Sequence, residues 1–158
     1  MITKMKLFYK LFGKQVFFEV QETNDYGACL VAKKIKPSYL RIKVLGYLRN
    51  HATHPTVDQI YQELVREVPT LSKTTLYNTL KLLVAAGLAQ VITIEDNETR
   101  YDGNAAVHGH FKCVICRRVY DFAINTDNWE VTGLAGFQIA AKAVYFKGVC
   151  PKCLENKE

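Results

Sequence analysis

No stretch of this chain stays apolar for bilayer length: its longest apolar runs break off well short of the ~20 residues a spanning helix needs. A membrane-spanning role is therefore not expected. Residues Met5 to Phe12 combine lysines with apolar residues, but no small-residue cleavage pattern follows, so no export signal is expected either. Cysteine is odd in number, five in all, which argues against the fully paired disulfide framework of a secreted protein. These absences together point to a cytoplasmic protein. No internal repeat or low-complexity segment is visible, and histidine is confined to His51, His54, His108 and His110. Core-forming material is not lacking. Hydrophobic residues are 49% of 158, enough for one compact domain or two small ones and too many for a disordered chain. The formal charge of +6 favours a polyanionic partner, although many proteins as basic as this bind no nucleic acid.

Within residues 1–26 only Val16–Val20 reads as a strand, and Asn24-Asp25-Tyr26-Gly27 reads as a turn; Cys29 to Lys34 fits the end of a short helix closed by Pro37. The pattern then sharpens. Ser38 can cap a helix with Leu40, Val44 and Leu48 at four-residue spacing. After the His54-Pro55 break, Thr56-Val57-Asp58-Gln59 has the form of a capping box, with Val57, Ile60, Leu64 and Val68 on one face and Pro69 as terminator. Ser72 opens a third helix, with Leu76, Leu80 and Leu83 inward and Gly87 placed to end it. Val91–Ile94, a turn at Glu95–Glu98 and a return through Thr99–Tyr101 predict a β-hairpin. Three short helices and a hairpin, in that order, are the elements of a winged helix-turn-helix. From His108 onward, short strands around cysteines are expected, with a helix near Asp127–Leu134 and a strand from Phe137 to Phe146. The reading is an α+β chain: a winged helix-turn-helix domain over 1–103, in which 1–26 is an unassigned extension, then a small α/β domain over 104–158.

On the helix from Ser72, the face opposite the leucines carries Lys73, Thr74, Tyr77, Asn78 and Lys81, types that reach phosphates and base edges. The first turn of a reading helix faces the bases, which favours Lys73, Thr74 and Thr75 for that role. A solvated helix face would carry the same residues. The capped helix before it and the hairpin after it favour a DNA-reading unit.

Cys113-Val114-Ile115-Cys116 and Cys150-Pro151-Lys152-Cys153 are two C-x-x-C pairs. Each spacing lets both sulfurs of a knuckle face one ion, and two knuckles complete a tetrahedron around Zn²⁺ with no position left for water or substrate. That zinc would be structural. Cys29 stands apart and is expected to be a packing residue.

His108-Gly109-His110 precedes the first knuckle, and alternate residues of a strand share a face. Asp102, Asp121 and His54 are the further candidates for one site. Three imidazoles with two carboxylates suit Fe²⁺, Mn²⁺ or Zn²⁺ and are too rich in nitrogen for Ca²⁺ or Mg²⁺. If His54 joins the others, the ion would link the reading half to the cysteine-bearing half and act as a switch.

His54-Pro55-Thr56, Ser72 through Leu80, Arg100-Tyr101-Asp102, His108-Gly109-His110 and the two C-x-x-C pairs, in this order over residues 29 to 153, resemble the ferric-uptake-regulator family, and within it the peroxide-sensing repressors. The resemblance implies a homodimer that binds an inverted-repeat operator in double-stranded DNA when loaded with Fe²⁺ or Mn²⁺. It implies that His54, Asp102, His108, His110 and Asp121 hold the regulatory ion, and that peroxide oxidises His54 or His108 and releases the repressor. An iron- or zinc-uptake repressor that senses metal level alone is the alternative. It fits less well, because Ala140, Ala141 and Lys142 stand where those proteins place further histidines, and because iron sensors more often carry Glu at the two carboxylate positions. Two departures are the N-terminal region and Tyr39, which stands where many members have a DNA-contacting arginine. A metalloenzyme at the His/Asp cluster is disfavoured, since no general base beyond the ligands is visible. A zinc-ribbon interaction module would leave the capped helices and the hairpin without a purpose.

Overall fold

The computed structural model describes residues 5–11, 14–20, 25–94, 98–125 and 132–155. The chain forms two compact units, Met1–Ile42 and Lys43–Glu158. In the first, β1 (Met5–Leu11) and β2 (Lys14–Val20) make an antiparallel hairpin with Met5 opposite Val20 and Leu11 opposite Lys14. The strand expected at Val16–Val20 is thus the second half of a hairpin. α1 (Tyr26–Ala32) begins where a turn was expected: the Asp25 carboxylate accepts the Ala28 N–H at 2.9 Å and caps the helix. Asp-containing segments are both turn and N-cap signals, so the sequence alone does not separate the two. Lys34, at φ +59, closes α1 as the Ile35 N–H donates to the Leu30 carbonyl. Leu30 is the buried residue of α1, and Cys29, one residue earlier, is exposed; the expectation that Cys29 packs inside is corrected.

α2 (Tyr39–Asn50) starts at Ser38, whose hydroxyl accepts the Arg41 N–H at 3.4 Å, and buries Val44, Leu45 and Leu48. α3 (Val57–Leu64) carries the complete capping box: the Gln59 N–H donates to Thr56 Oγ1 and the Thr56 N–H to Gln59 Oε1. Val57, Ile60 and Leu64 face the core. The helix ends before Val68, because a backbone approaching Pro69 leaves the helical region and the last bonds fold back onto the Leu64 carbonyl. α4 (Lys73–Ala85) starts at Ser72, which accepts the Thr75 N–H at 3.1 Å, and buries Leu76, Thr79, Leu80 and Leu83. Gly87 follows at φ +67, the left-handed exit that glycine adopts without strain.

β3 (Gln90–Ile92) and β4 (Arg100–Asp102) form the antiparallel wing, with Gln90 opposite Asp102. The other edge of β4 is stitched to the segment ahead of α3: Thr56 bridges Arg100, and the Tyr101 N–H donates to the Pro55 carbonyl at 2.9 Å. A three-stranded mixed sheet follows. β5 (Gly109–Cys113) is central, β6 (Val119–Phe122) antiparallel to it and β7 (Val144–Gly148) parallel. A short helix, α5 (Pro151–Glu155), ends the described chain. The α+β class expected from the sequence is the one found: helices and a wing, then a small mixed sheet.

The strand expected over Phe137–Phe146 forms only over Val144–Gly148. β5 is five residues long and offers five partners, Gly109↔Val144 through Cys113↔Gly148; residues 137–143 pair with no strand among the described residues and lie exposed. The helix expected near Asp127–Leu134 falls largely outside the described residues, and 132–134 is irregular.

Two glycines set the geometry. A Cβ on Gly103 would sit 2.6 Å from the Leu48 carbonyl, so only glycine lets the chain after β4 pass the end of α2. A Cβ on Gly109 would sit 2.2 Å from the Phe122 ring, which stacks on Phe146 at 5.0 Å. Wing and sheet share a small core of Ile92, Ile94 and Val119 with Tyr145 packed against it.

Candidate metal centre

The four cysteines come from two turns at one end of the sheet. Cys113 ends β5; the turn after it is closed by Arg117 N–H donating to the Cys113 carbonyl, with Arg117 at φ +61. Cys150 lies just before α5 and Cys153 within it, and the Cys153 N–H donates to the Cys150 carbonyl. Parallel pairing of β5 and β7 brings the turns together, with Val114 N–H donating to the Gly148 carbonyl at 2.8 Å. All four sulfurs lie within 4.8 Å of one another, and Cys116 Sγ is 3.8 Å from Cys150 Sγ. With zinc–sulfur bonds of about 2.3 Å, the edge of a tetrahedron is about 3.8 Å, so the group has the dimensions of a ZnS₄ site. Burial alone would raise the Cys113 thiol. Backbone N–H groups of Cys150, Cys116 and Ile115 outweigh it and bring the thiol down to about 6, the direction that favours a metal-binding thiolate.

A second cluster gathers at the other end of β5. His108 and His110 flank Gly109, and Asp121 stands opposite His110 across the β5–β6 ladder. Asp102 ends β4. His54 precedes Pro55 at φ +50, a strained position for a side-chain-bearing residue, where the Arg100 guanidinium donates to its carbonyl at 3.1 Å. One donor atom from each of these five residues lies within 4.8 Å of all the others. His54 Nε2 is 2.7 Å from Asp121 Oδ1, and His108 Nε2 is 3.0 Å from Asp102 Oδ2. The remaining His108 and His110 contacts to the two carboxylates span 3.5–3.6 Å. Two donors each about 2.1 Å from an ion, at right angles, sit about 3.0 Å apart, so the separations are those of one coordination sphere.

The nitrogens themselves supply the test of fit. Both ring nitrogens of His54, together with His108 Nε2 and His110 Nε2, are buried and make no well-aligned hydrogen bond, although carboxylate oxygens lie close to the three Nε2 atoms. Short distances without donor alignment are what lone pairs aimed at a common point produce. Leaving buried polar atoms unsatisfied costs ~1–3 kcal/mol each unless something occupies that point. His108 Nδ1 lies 2.8 Å from the Ala106 carbonyl, so it carries the proton and leaves Nε2 as the lone-pair nitrogen. Burial holds His54 below its ordinary value, only partly opposed by Asp121 and Asp102, so its imidazole is kept neutral. For Asp102, burial would raise the carboxyl, but the His110 contact, the Asn104 N–H, the Gln90 amide and His54 prevail and keep it ionised. The donor set fits a divalent transition-metal ion.

Helix α4 exposes Lys73, Thr74, Thr75, Tyr77, Asn78 and Lys81, the residues expected to face DNA. Two of them have local partners. Lys73 Nζ bonds Asp58 Oδ1 at 2.7 Å and lies over the Tyr61 ring, while Thr75 Oγ1 is 2.8 Å from Ser72 Oγ. His51 lies outside the cluster, its Nδ1 on the Tyr47 carbonyl. Sequence reasoning missed the residues that hold the candidate ligands: Arg100 on the His54 carbonyl, and Gln90 and Asn104 on Asp102. Only the β3–β4 register, which sets Gln90 opposite Asp102, could have revealed the last two.

A winged helix-turn-helix followed by a mixed sheet with a cysteine quartet and a His/Asp cluster defines a metal-binding regulator of transcription. Residues 32–147 match the ferric uptake regulator family, and the chain belongs to it. Members of this family are transcriptional regulators, not enzymes. The chain is 34% identical over 139 residues to the peroxide-responsive repressor PerR of Staphylococcus aureus, covering 85% of this chain and 93% of that protein. Its fold is shared with the ferric uptake regulator of Helicobacter pylori, described as having three functional metal binding sites (TM-score 0.64, 21% identity, 83% of this chain and 90% of that one). It is shared as well with that of Pseudomonas aeruginosa with manganese (TM-score 0.62, 19% identity, 80% and 98%).

Proposed function

We propose that the chain is a cytoplasmic, metal-dependent repressor that binds an inverted-repeat operator as a homodimer and senses peroxide by oxidation of a ligand histidine. The observation that carries this reading is the convergence of three buried imidazoles with two carboxylates, joining His54 ahead of α3 to the wing and the sheet. Cys113, Cys116, Cys150 and Cys153 hold a structural Zn²⁺. His54, Asp102, His108, His110 and Asp121 hold Fe²⁺ or Mn²⁺. Iron, when bound, would supply the electron that reduces peroxide; the chain's part is to hold the His54 and His108 rings next to the reaction, where either ring is the oxidised one.

The residues that hold the ion explain why it controls reading. The His54 carbonyl is gripped by Arg100 of the wing, and the capping box of α3 begins two residues later. An ion fixing His54 against Asp102 and Asp121 therefore fixes the start of α3, and α4 with Lys73, Thr74, Thr75, Tyr77, Asn78 and Lys81 for the major groove. The 104–158 half serves dimerisation: Leu134, Phe137, Ile139 and Phe146 are exposed, an apolar surface of the kind a partner subunit covers. The similarity to the staphylococcal peroxide-responsive repressor and the two aspartates support the peroxide branch. The iron-loaded dimer treated with hydrogen peroxide should gain one oxygen on His54 or His108 by mass spectrometry and release operator DNA. Unmodified histidines and unchanged DNA binding would leave a repressor that senses metal level alone.

A further inference from the structure

Gln90 is the one residue of β3 that reaches the His/Asp cluster, and its geometry assigns it a task. Its amide nitrogen lies 3.0 Å from Asp102 Oδ2 and 2.7 Å from the Asn104 carbonyl. Both neighbours are acceptors. Had the amide been placed the other way round, its oxygen would face two oxygens, so the NH₂ orientation is forced and both hydrogens are used. The nearby His108 Nδ1, 3.5 Å away, is itself a donor to Ala106 and does not compete. Asp102 is held from two sides, Oδ1 by the Asn104 N–H at 2.8 Å and Oδ2 by Gln90. What remains is the outward lone pair of Oδ2, on the side of His108 Nε2 and His110 Nε2.

We propose that Gln90 is a positioning residue that confines Asp102 to single-oxygen ligation of the regulatory ion and thereby sets the affinity of the site. The proposal rests on the reading that the His/Asp cluster binds an ion. Without the amide, only the Asn104 N–H on Oδ1 holds the carboxylate, and Oδ2 is less firmly directed at the imidazoles. The same hydrogen bonds tie the ligand to both strands of the wing, since Gln90 stands opposite Asp102 in the ladder. Residues that orient ligands in this way contribute about 10- to 100-fold in metal affinity.

The test uses the full chain with its cysteine site loaded with zinc. Mn²⁺ affinity is measured by titration calorimetry, and the ligand field is read from the visible absorption of Co²⁺ at the same site. In Gln90→Leu, Mn²⁺ binding weakens about 10- to 100-fold and the Co²⁺ bands shift, while the chain without the second ion remains folded at the temperature of the titration. Gln90→Met, unbranched and of similar length, serves if the first variant fails to fold, and must show the same loss. Affinity within about twofold of the parent, with an unchanged Co²⁺ spectrum, overturns the role of Gln90. Asp102→Asn separates the two levels of the argument: if it binds Mn²⁺ as tightly as the parent, the cluster is not the site, and the reading beneath the proposal is what has failed.

Discussion

Replacing Gly103 by alanine adds one methyl group at the point where the chain leaves the wing and passes the end of α2. The new Cβ would lie 2.6 Å from the Leu48 carbonyl carbon and oxygen and 2.9 Å from the Arg49 nitrogen, short of ordinary contact by about 0.8 Å. Those atoms are backbone inside a helix and cannot rotate away, so the wing must move. Overpacking of this kind costs typically 1–3 kcal/mol, and contact with backbone belongs at the upper end, about 3 kcal/mol. In a chain of this length that lowers the melting temperature by about 6–12 °C. Asp102 is the preceding residue, so the shift also displaces a ligand, and Mn²⁺ affinity should fall about tenfold. Gly87→Ala is the control: φ is +67 with no atom within 4 Å of the added Cβ, so it costs only the left-handed penalty of about 1–2 kcal/mol. It should leave Mn²⁺ binding untouched. Thermal melts and calorimetric titration of both variants decide the matter. Equal destabilisation, with Mn²⁺ affinity retained in both, would refute the close approach at Gly103 and its link to the site.

Thr56→Ala removes the cap of α3 and with it one hydrogen bond of the reciprocal pair with Gln59; a loss of about 1 kcal/mol and a melting point lower by about 2–4 °C are expected. Cys113→Ser should abolish retention of zinc and unfold the sheet, whereas His108→Ala should keep zinc and fold but lose the second ion; equal thermal losses would contradict the division of labour. Stability without the second ion should depend on pH through His54. Its folded value is depressed below 6.5, so the unfolded chain takes up the proton more readily; the contribution is intact above 6.5 and is lost as pH falls through the depressed value. A His54→Gln variant should lack that part of the acid-side slope in melting temperature, and an unchanged slope would count against a neutral, buried His54.

Much of this structure is legible in the sequence because the signals are local. Ser38, Thr56 and Ser72 cap the helices they were expected to cap, and the leucines of α4 recur at the helical period. The C-x-x-C pairs carry their own geometry, since two residues between thiolates leave few other arrangements. The parts that escaped depend on distant partners. β7 stops at the length of β5, which residues 137–146 taken alone do not reveal. Asp25 reads equally as turn and cap, and Cys29 differs from buried Leu30 only by its place around α1. At the candidate site, His108-Gly109-His110 was visible as a pattern, but the strained His54 backbone, its Arg100 anchor and the Gln90 amide appear only once strand register is known.

The most direct test compares operator binding by the protein carrying zinc alone with the same protein carrying Mn²⁺ as well, by fluorescence anisotropy at one salt concentration. If an ion among His54, Asp102, His108, His110 and Asp121 sets the geometry of α4, Mn²⁺ should tighten specific binding by about 5- to 150-fold, the range of an ordinary allosteric coupling, and Asp102→Asn should abolish the gain. Equal affinity with and without Mn²⁺, at full occupancy of the zinc site, would contradict the account.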